Sequence, residues 1–501
     1  MTPAPSEPDQ PDGAEVIADP TDRVGRIEES GVDYLPESQR DSSPRNVFAV
    51  FAGGNLGWTI AVFGWVSIQL GLDFWGAVIS TVVGALIGTV VVLPLAGVSP
   101  RTGTNMTVSS GAFFGIRGRL IGSALSLVIA IVFAAITVWT SGDALVAAAH
   151  RLVGLPQNPV MLGVGYAVVS VVIVAVALFG HATIVAMQKF LVPVAGAVFV
   201  LGFVAFAPTF DVHSATGHFA VGGYWSTMVL STVLATAGPI SYAPIIGDYT
   251  RRISIKRHSD SSIRWALFAG LMFGTLLPAV LGAFAGSAMT VNSGEFMADL
   301  VSSSPFWFLI PILIVSIAGG FGQGVMCIYA TGLDLETFFP RLKRVHTTAL
   351  AAAVAVALLY VGVFVLDAVD AITAATVVVN AVATPWAVVM VVGALRTRTY
   401  DPFDLQAFAH GRRGGRYWFV RGWNPAAVAA WVGGSAFGLL SVQTDLYSGP
   451  LAGIFGGIDP SAIGSGVVAA IIYLGLVMMS RQRMEVLDAP ALATPAGPEP
   501  A

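Results

Sequence analysis

The chain has 501 residues, of which 55% are hydrophobic and 11% are charged, and its formal net charge is −4. Soluble proteins carry about 25% charged residues, and a larger soluble core does not explain the deficit, because such cores split into domains. The composition therefore excludes an ordinary soluble protein and predicts a lipid-facing surface. The charge shows no basic excess that would suggest nucleic-acid binding. Cys327 is the only cysteine, which excludes an intramolecular disulfide and a thiolate metal cluster.

Twelve apolar segments are long enough to cross a hydrocarbon core about 30 Å thick. They fall at approximately 47–69, 75–98, 120–147, 160–180, 188–208, 222–246, 264–287, 306–330, 347–366, 371–395, 425–443 and 462–480. Residues 1–44 and 481–501 flank these spans and have few large apolar residues, so we predict two disordered cytoplasmic tails. Residues 396–424 form a predicted cytoplasmic loop between spans 10 and 11.

Basic residues lie almost entirely on one side of this arrangement. If both tails are cytoplasmic, every Lys and Arg except Arg151 falls in a cytoplasmic segment, whereas the external loops carry Asp and Glu. This is the positive-inside pattern of membrane proteins. We therefore predict a multi-pass protein of the plasma (inner) membrane with both termini in the cytoplasm.

Two spans contain residues that interrupt helices. Residues 52–57 of span 1 hold three glycines and Asn55, which are poor helix formers. Residues 237–244 of span 6 contain Pro239 and Pro244, and each proline removes an amide donor. The breaks are five spans apart, an odd number, so the second block of five would enter the membrane inverted. The alternative is that they are close-packed glycines and a proline kink, which membrane helices also contain.

Several motifs resemble the purine–cytosine permease family of nucleobase cation symporters. Ser241-Tyr242-Ala243-Pro244 followed by Gly247-Asp248-Tyr249-Thr250-Arg251 resembles a family signature, and Asn55 with Gly64 is similar to its first-helix pair. Further likenesses are 179–189, 384–390 and 417–425, and the likeness runs from about residue 30 to 480.

The resemblance implies an all-α membrane protein of the leucine-transporter type with about twelve helices. It has five-plus-five inverted repeats, here 45–208 and 222–395, and two extra helices within 425–480. It also implies import of a nucleobase or related cyclic amide driven by protons or sodium, with no other cofactor, no nucleic-acid partner and a monomeric unit. Spans 1, 3, 6 and 8 would line the site. A carrier of a vitamin-like pyrimidine is the alternative substrate class.

A planar base needs an aromatic face to stack on and polar groups to bind its edge. The position that matches the family's aromatic residue is Tyr242, with Ser241 beside it and Asn55 in the other break. We predict that these residues bind the substrate. The alternative for Tyr242 is an ordinary interhelical tyrosine.

Span 8 supplies a second group of candidates. Gln323 is an isolated amide among four glycines and can bind a base edge with two hydrogen bonds, or it can link helices without touching a ligand. Cys327 stands where the family has a substrate-reading Asn. In span 3 the family's Gly-Trp pair matches Phe133-Ala134, and Trp139 is a candidate second stacking face or an interfacial anchor.

The cation-coupling candidates are Gly53 and Gly54, whose backbone the first break frees, and Asp143 in the outer half of span 3. An ionisable group inside a span suggests function by default, although a hydrated structural role near the outer interface is the alternative for Asp143. Sodium-coupled relatives have Ser or Thr hydroxyls in span 8, whereas this chain has 321–324 without one, which weakens sodium coupling.

At the inner end of span 6, Asp248 and Arg251 are predicted to form a gating or structural latch, and a substrate-binding role is the alternative. No metal site is predicted.

Other function classes fit less well. A channel would show rings of charged side chains or carbonyls, and the sequence has no such repeat. A membrane enzyme would need clustered His, Asp or Glu, and the seven histidines are scattered. A sensor would need a folded output domain, and neither tail suits one.

Overall fold

The computed structural model describes residues 24–25, 34–213, 217–338, 344–364, 368–407, 411–444, 446–455 and 459–479. Over these residues the protein is almost entirely helical, and pairing between extended segments is limited to isolated bridges. Within this part of the chain, nine helices are long and apolar enough to cross a membrane, and one bent pair makes a tenth. The 18-residue helix Tyr224–Ser241 stands at the position of predicted span 6, and the shorter apolar helix Pro425–Ser441 stands at that of span 11.

The helices follow the predicted order, and their bounds are as follows. In the first predicted repeat, span 1 is Pro44–Gly53 with Trp58–Gln69, span 2 is Phe74–Val92 followed by the 3-10 helix Leu93–Gly97 and the α-helix Val98–Thr102, span 3 is Arg119–Val153, span 4 is Pro159–Ala177 and span 5 is His181–Phe206. In the second, span 6 is Tyr224–Ser241 with Ile246–Thr250, span 7 is Asp260–Gly286, span 8 is Leu309–Gly319 with Gly320–Gly324 and Val325–Phe338, span 9 is Arg344–Phe364 and span 10 is Ala368–Arg396. Span 11 is Pro425–Ser441 and span 12 is Ser461–Met479. The prediction of about twelve spans is confirmed.

Both predicted interruptions occur, and the second is shorter than expected. The two halves of span 1 meet at an angle of 55°. Span 6 stays helical through Pro239 to Ser241, and only Tyr242–Ile245 leave the helix. Pro244 explains the position, because a proline disfavours helical conformation at the residue before it. Pro239 is instead accommodated inside the helix.

Span 8 contains an interruption that the sequence did not predict. Residues Gly320–Gly324 form one π-helical turn between two α-helical segments. A π turn holds one more residue than an α turn and often marks a functional site. The wider turn presents Gln323 toward the centre of the molecule, where Thr137 of span 3 contacts it.

Span 1 packs against span 7 through glycines. A methyl group on Gly64 would overlap the carbonyl oxygen of Ala279, and one on Gly282 would overlap that of Ala61. Small residues at such positions let two membrane helices approach closely.

Contacts between loops agree with the predicted sidedness. Arg151 Nη1 donates to the carbonyls of Val301 and Ser304, which lie in another loop predicted to be external. On the opposite side, Arg101 pairs with Asp260, and both belong to loops predicted to be cytoplasmic.

Part of the predicted N-terminal tail is packed rather than disordered. Residues 34–43 lie over the inner ends of the spans, where Arg40 Nη1 donates to the carbonyl of Pro100 (2.7 Å) and Ser42 N donates to that of Arg252 (3.0 Å). Both side chains are buried. The predicted C-terminal tail, 481–501, lies outside the described residues.

Several short elements were not predicted. They are the helices Met106–Ser109, Gly111–Phe114, Phe296–Ser303 and Pro402–Leu405, the last of them within the predicted loop 396–424. Span 5 also begins at His181, earlier than predicted, which places Gln188 inside the helix.

Candidate functional site

A hydrogen bond joins the two interrupted spans. The Tyr242 hydroxyl donates to Oδ1 of Asn55 at 3.2 Å, and Asn55 Nδ2 donates to the carbonyl of Phe51 at 2.7 Å. Asn55 is fully buried and Tyr242 is 4% exposed. The side chains at the two breaks therefore contact each other directly, in the interior of the helix bundle.

Aromatic rings support this contact. The Phe51 ring packs edge-on against Tyr242, with 5.3 Å between ring centroids, and edge-on against Tyr249 at 5.8 Å. Such edge-to-face pairs stabilise ring positions by about 0.5–1.5 kcal/mol beyond burial. Ser241 Oγ donates to the carbonyl of Gly238 at 2.6 Å and is thus used within its own helix.

A hydroxyl and amide network lies one helical turn beyond Asn55. Thr59 of span 1 contacts Thr137 (3.4 Å) and Thr140 (3.0 Å) of span 3, and Thr137 Oγ1 donates to Oε1 of Gln323 at 3.5 Å. All four side chains are buried. Spans 1, 3 and 8 therefore converge on one group of polar side chains.

Gln188 fills the space between the first break and the π turn. Its Nε2 donates to the carbonyl of Gly322 at 2.9 Å, and its Oε1 lies against Gly53, where an added methyl group would overlap it. Gln188 is fully buried, and Oε1 has no hydrogen-bond partner among the described residues. Met326 similarly packs against Gly54.

Cys327 belongs to the same region. It lies one turn after Gln323, on the same helix face, and its side chain is in the neighbourhood of Tyr242. It is 6% exposed. The structure thus brings together Asn55, Tyr242, Gln323 and Cys327 of the predicted substrate residues, with Ser241 adjacent in the chain.

Trp139 lies elsewhere. It lines an apolar cavity of about 250 Å³ together with Leu358 and Gly362 of span 9 and Ala371 of span 10. The structure does not bring it together with Tyr242, because a helix turns about 100° per residue and places position 139 on the opposite face from 137.

Asp143 is one turn beyond Thr140 on the same face of span 3. Its Oδ1 accepts a hydrogen bond of 2.5 Å from the hydroxyl of Tyr166 in span 4. Asp143 is partly buried. It is therefore next to the hydroxyl network, and separate from Gly53 and Gly54, whose neighbours are Gln188 and Met326.

Asp248 and Arg251 are both buried at the inner end of span 6. Asp248 Oδ1 accepts from the backbone N of Met106 at 3.3 Å, which connects this end of span 6 to the short helix after span 2. Such a link between the two halves of the molecule suits a latch.

The sequence reading missed Thr59, Thr137 and Thr140 as site residues and treated Gln188 only as a landmark. Thr137, Thr140 and Asp143 recur at intervals of three within an apolar span, a signal that could have been read as one polar helix face. Thr59 and Gln188 show no such pattern, since each is a single polar residue whose partners come from other spans.

The arrangement offers hydrogen-bond donors and acceptors beside an aromatic ring. Amides can donate and accept at once, and so can hydroxyls. In a region shielded from water, such groups bind a small polar solute and discriminate between its edges.

Comparisons with known proteins agree with this geometry. A family model described as permease for cytosine/purines, uracil, thiamine and allantoin matches residues 34–464. The putative purine-cytosine permease YxlA of Bacillus subtilis (strain 168) is 26% identical over 472 residues, which are 90% of this chain and 96% of that protein.

Solved structures with the same fold are more distant in sequence. Mhp1, a nucleobase-cation-symport-1 family transporter in a closed conformation with bromovinylhydantoin bound, matches with a TM-score of 0.67 and 16% identity over 92% of this chain and 99% of its own. A substrate-bound, outward-open Na⁺-coupled sialic acid symporter matches with a TM-score of 0.57 and 13% sequence identity. The match covers 89% of this chain and 92% of that protein.

The fold is therefore the leucine-transporter type, with five-plus-five inverted repeats and two extra helices. The family match covers most of the sequence, including both breaks and the π turn. The chain belongs to the family of permeases for cytosine/purines, uracil, thiamine and allantoin, and it is a membrane transporter.

Proposed function

We propose that the chain imports a nucleobase or related cyclic amide by cation symport with alternating access. The observation that carries this proposal is the hydrogen bond between Asn55 and Tyr242, which places an amide and an aromatic ring where two spans are interrupted. Interrupted spans of this kind hold solute and ion near the middle of the membrane in secondary transporters.

In this proposal the base lies against the Tyr242 ring, on a face not used by Phe51. Asn55 and Gln323 then bind its edges, because each amide pairs with a lactam or amidine group through one donor and one acceptor. The bonds that these amides make now, to Tyr242 and Thr137, keep them satisfied until the base replaces those partners.

For the coupling ion we propose a proton rather than sodium. Gln188 already donates to the carbonyl of Gly322, and that carbonyl is the kind of ligand that a sodium ion at the first break would need. Residues 319–326 of span 8 also contain no hydroxyl. Asp143, hydrogen-bonded to Tyr166 beside the hydroxyl network, is the proposed proton carrier.

The remaining assignments follow from the fold and the charge pattern. We propose repeats at 45–208 and 222–395 that rock against each other, and a closing contact made by Asp248 and Arg251 at the inner end. The loops on one side of the predicted spans contain almost no Lys or Arg, which supports placing them outside the cell. Both termini then lie in the cytoplasm, and the membrane is the plasma (inner) membrane. We propose a monomer as the transport unit.

Uptake into proteoliposomes tests the proposal. Radiolabelled cytosine, uracil, hypoxanthine, hydantoin, allantoin and thiamine are offered with a proton gradient, with a sodium gradient, or with neither. We expect saturable accumulation of at least one cyclic amide with the proton gradient alone. Accumulation that requires sodium would refute proton coupling, and no uptake of any compound above protein-free liposomes would refute the function.

A further inference from the structure

A second cavity, far from the breaks, lies at the predicted cytoplasmic surface. It measures about 410 Å³, within the range of roughly 300–1,000 Å³ for small-molecule sites. The inner ends of spans 10, 11 and 12 and residues 416–424 of the loop enclose it. We call it the arginine cleft, and its lining includes Arg396, Arg416, Tyr417, Phe419, Tyr473 and Val477.

Two guanidinium groups line the cleft, and neither has a carboxylate partner among the described residues. The Nε atoms of Arg396 and Arg416 are buried from solvent and have no hydrogen-bond partner within the part of the chain that the structure describes. Asp404, the nearby carboxylate, accepts from the backbone N of Arg416 (2.6 Å). Buried donors on a cation are costly unless an acceptor reaches them.

The charge around the cleft is one-sided. The loop 396–424 contains six arginines against two aspartates, Asp401 and Asp404. Burial raises the pKa of the Tyr417 phenol, so this ring stays neutral at physiological pH and does not offset the arginines. The site therefore favours an anion.

Most of the remaining lining is apolar and continues onto a lipid-facing surface. Phe419, Leu474 and Val477 form part of the wall. Next to it, Leu395 and Met478 are 67% and 79% exposed, as suits side chains that contact lipid tails. A ligand that fits the whole cleft has an anionic head and a hydrocarbon tail.

The loop wall is held in an uncommon conformation. Phe419 and Arg421 have φ angles of 44° and 54°, which few residues other than glycine adopt. Gly422 N donates to the carbonyl of Trp418 at 2.7 Å, and Asn424 Nδ2 donates to that of Phe113 at 2.6 Å. These bonds fix the loop against the short helix before span 3 and keep the cleft open.

We propose that the arginine cleft binds an anionic phospholipid of the cytoplasmic leaflet, with its phosphate between Arg396 and Arg416 and its acyl chain along Phe419 and Val477. Basic pockets between membrane helices on the cytoplasmic side bind anionic headgroups. The choice of leaflet rests on the proposed orientation, whereas the binding itself does not depend on the proposed transport function.

Native mass spectrometry of the purified full chain tests the proposal. The protein is titrated with phosphatidylglycerol or phosphatidylcholine of identical acyl chains. We expect a preference for phosphatidylglycerol that falls about fivefold on replacing either arginine by glutamine, because each basic residue at such a surface contributes on the order of 1 kcal/mol. The double variant R396Q/R416Q should show almost no preference for phosphatidylglycerol.

Matched variants separate charge from folding. Arg398→Gln removes an exposed arginine outside the cleft and should leave the preference unchanged, and R396K/R416K should retain most of it. The thermal unfolding temperature of each variant, measured without added lipid, checks that the fold persists. An unchanged preference in R396Q/R416Q would overturn the proposal.

Two further binding experiments identify the molecule that occupies the arginine cleft. Glycerol 3-phosphate at the same concentration should fail to displace phosphatidylglycerol, because it lacks the acyl chain, and displacement would show that the cleft takes a free anion. A chain ending at Met479 should bind lipid as the full chain does. If lipid bound only after that truncation, residues 480–501 would be the occupant and the proposal would be wrong.

Discussion

Buried polar side chains have no water to bond with in a membrane interior, so their partners reveal how the molecule uses them. Asn55 and Tyr242 bond to each other although they are 187 positions apart in the chain. Thr59, Thr137, Thr140 and Gln323 likewise find partners from other spans. In the proposed transport site, Asn55 and Gln323 exchange these protein partners for the solute.

The Asn55–Tyr242 bond can be tested with a double-mutant cycle. Tyr242→Phe and Asn55→Ala should each lower the free energy of unfolding of the base-free protein by about 0.5–1.5 kcal/mol, the usual contribution of a buried hydrogen bond. The double variant should lose little more stability than either single variant, because both substitutions remove the same interaction. Thr232→Val, which removes only a bond within span 6, serves as the control. Fully additive effects would contradict the assignment.

Asp143 is the residue to test for coupling. Asp143→Asn should leave exchange of bases across the membrane intact, because the amide still accepts from Tyr166, while proton-driven accumulation disappears. Tyr166→Phe keeps the carboxylate and should keep accumulation. Both are measured as uptake with and without an imposed pH gradient. Accumulation by Asp143→Asn equal to that of the unmodified chain would eliminate this residue as the proton carrier.

At the scale of elements, the sequence predicted the spans well and their partners poorly. Hydrophobic length identified every span, and glycine and proline located both breaks, because those properties are local. Pro239 was expected within the break and lies in the helix, since tertiary packing tolerates a proline there. The face of Trp139 and the partners of Gln188 depend on other spans, so the sequence alone could not supply them.

The π turn of span 8 packs against the first break with no space for a side chain. A methyl group on Gly322 would overlap the carbonyl oxygen of Gly53. Gly322→Ala should therefore lower stability by about 1–3 kcal/mol, the usual cost of overpacking, and reduce uptake. Gly238→Ala is the control, because nothing lies within 4 Å of a methyl group at that position. Equal thermal unfolding temperatures for the two variants would contradict this packing.

At the scale of the whole molecule, the two repeats meet at the polar region between spans 1, 3, 6 and 8. Contacts at either end join loops that the charge pattern had assigned to the same side, as in Arg151 with Val301 and Arg101 with Asp260. Alternating access requires these two sets of end contacts to open in turn while the centre stays fixed. Cys327 lies in that centre and is the only thiol in the chain.

The rate at which Cys327 reacts with a membrane-permeant thiol reagent tests the central claim most directly, because no other cysteine contributes to the signal. The unmodified chain and Tyr242→Ala are labelled in proteoliposomes with and without each base of the uptake panel. We predict that the transported base slows labelling of the unmodified chain and has no such effect on Tyr242→Ala. A base that is taken up but leaves the labelling rate of Cys327 unchanged would place the solute elsewhere and contradict the account.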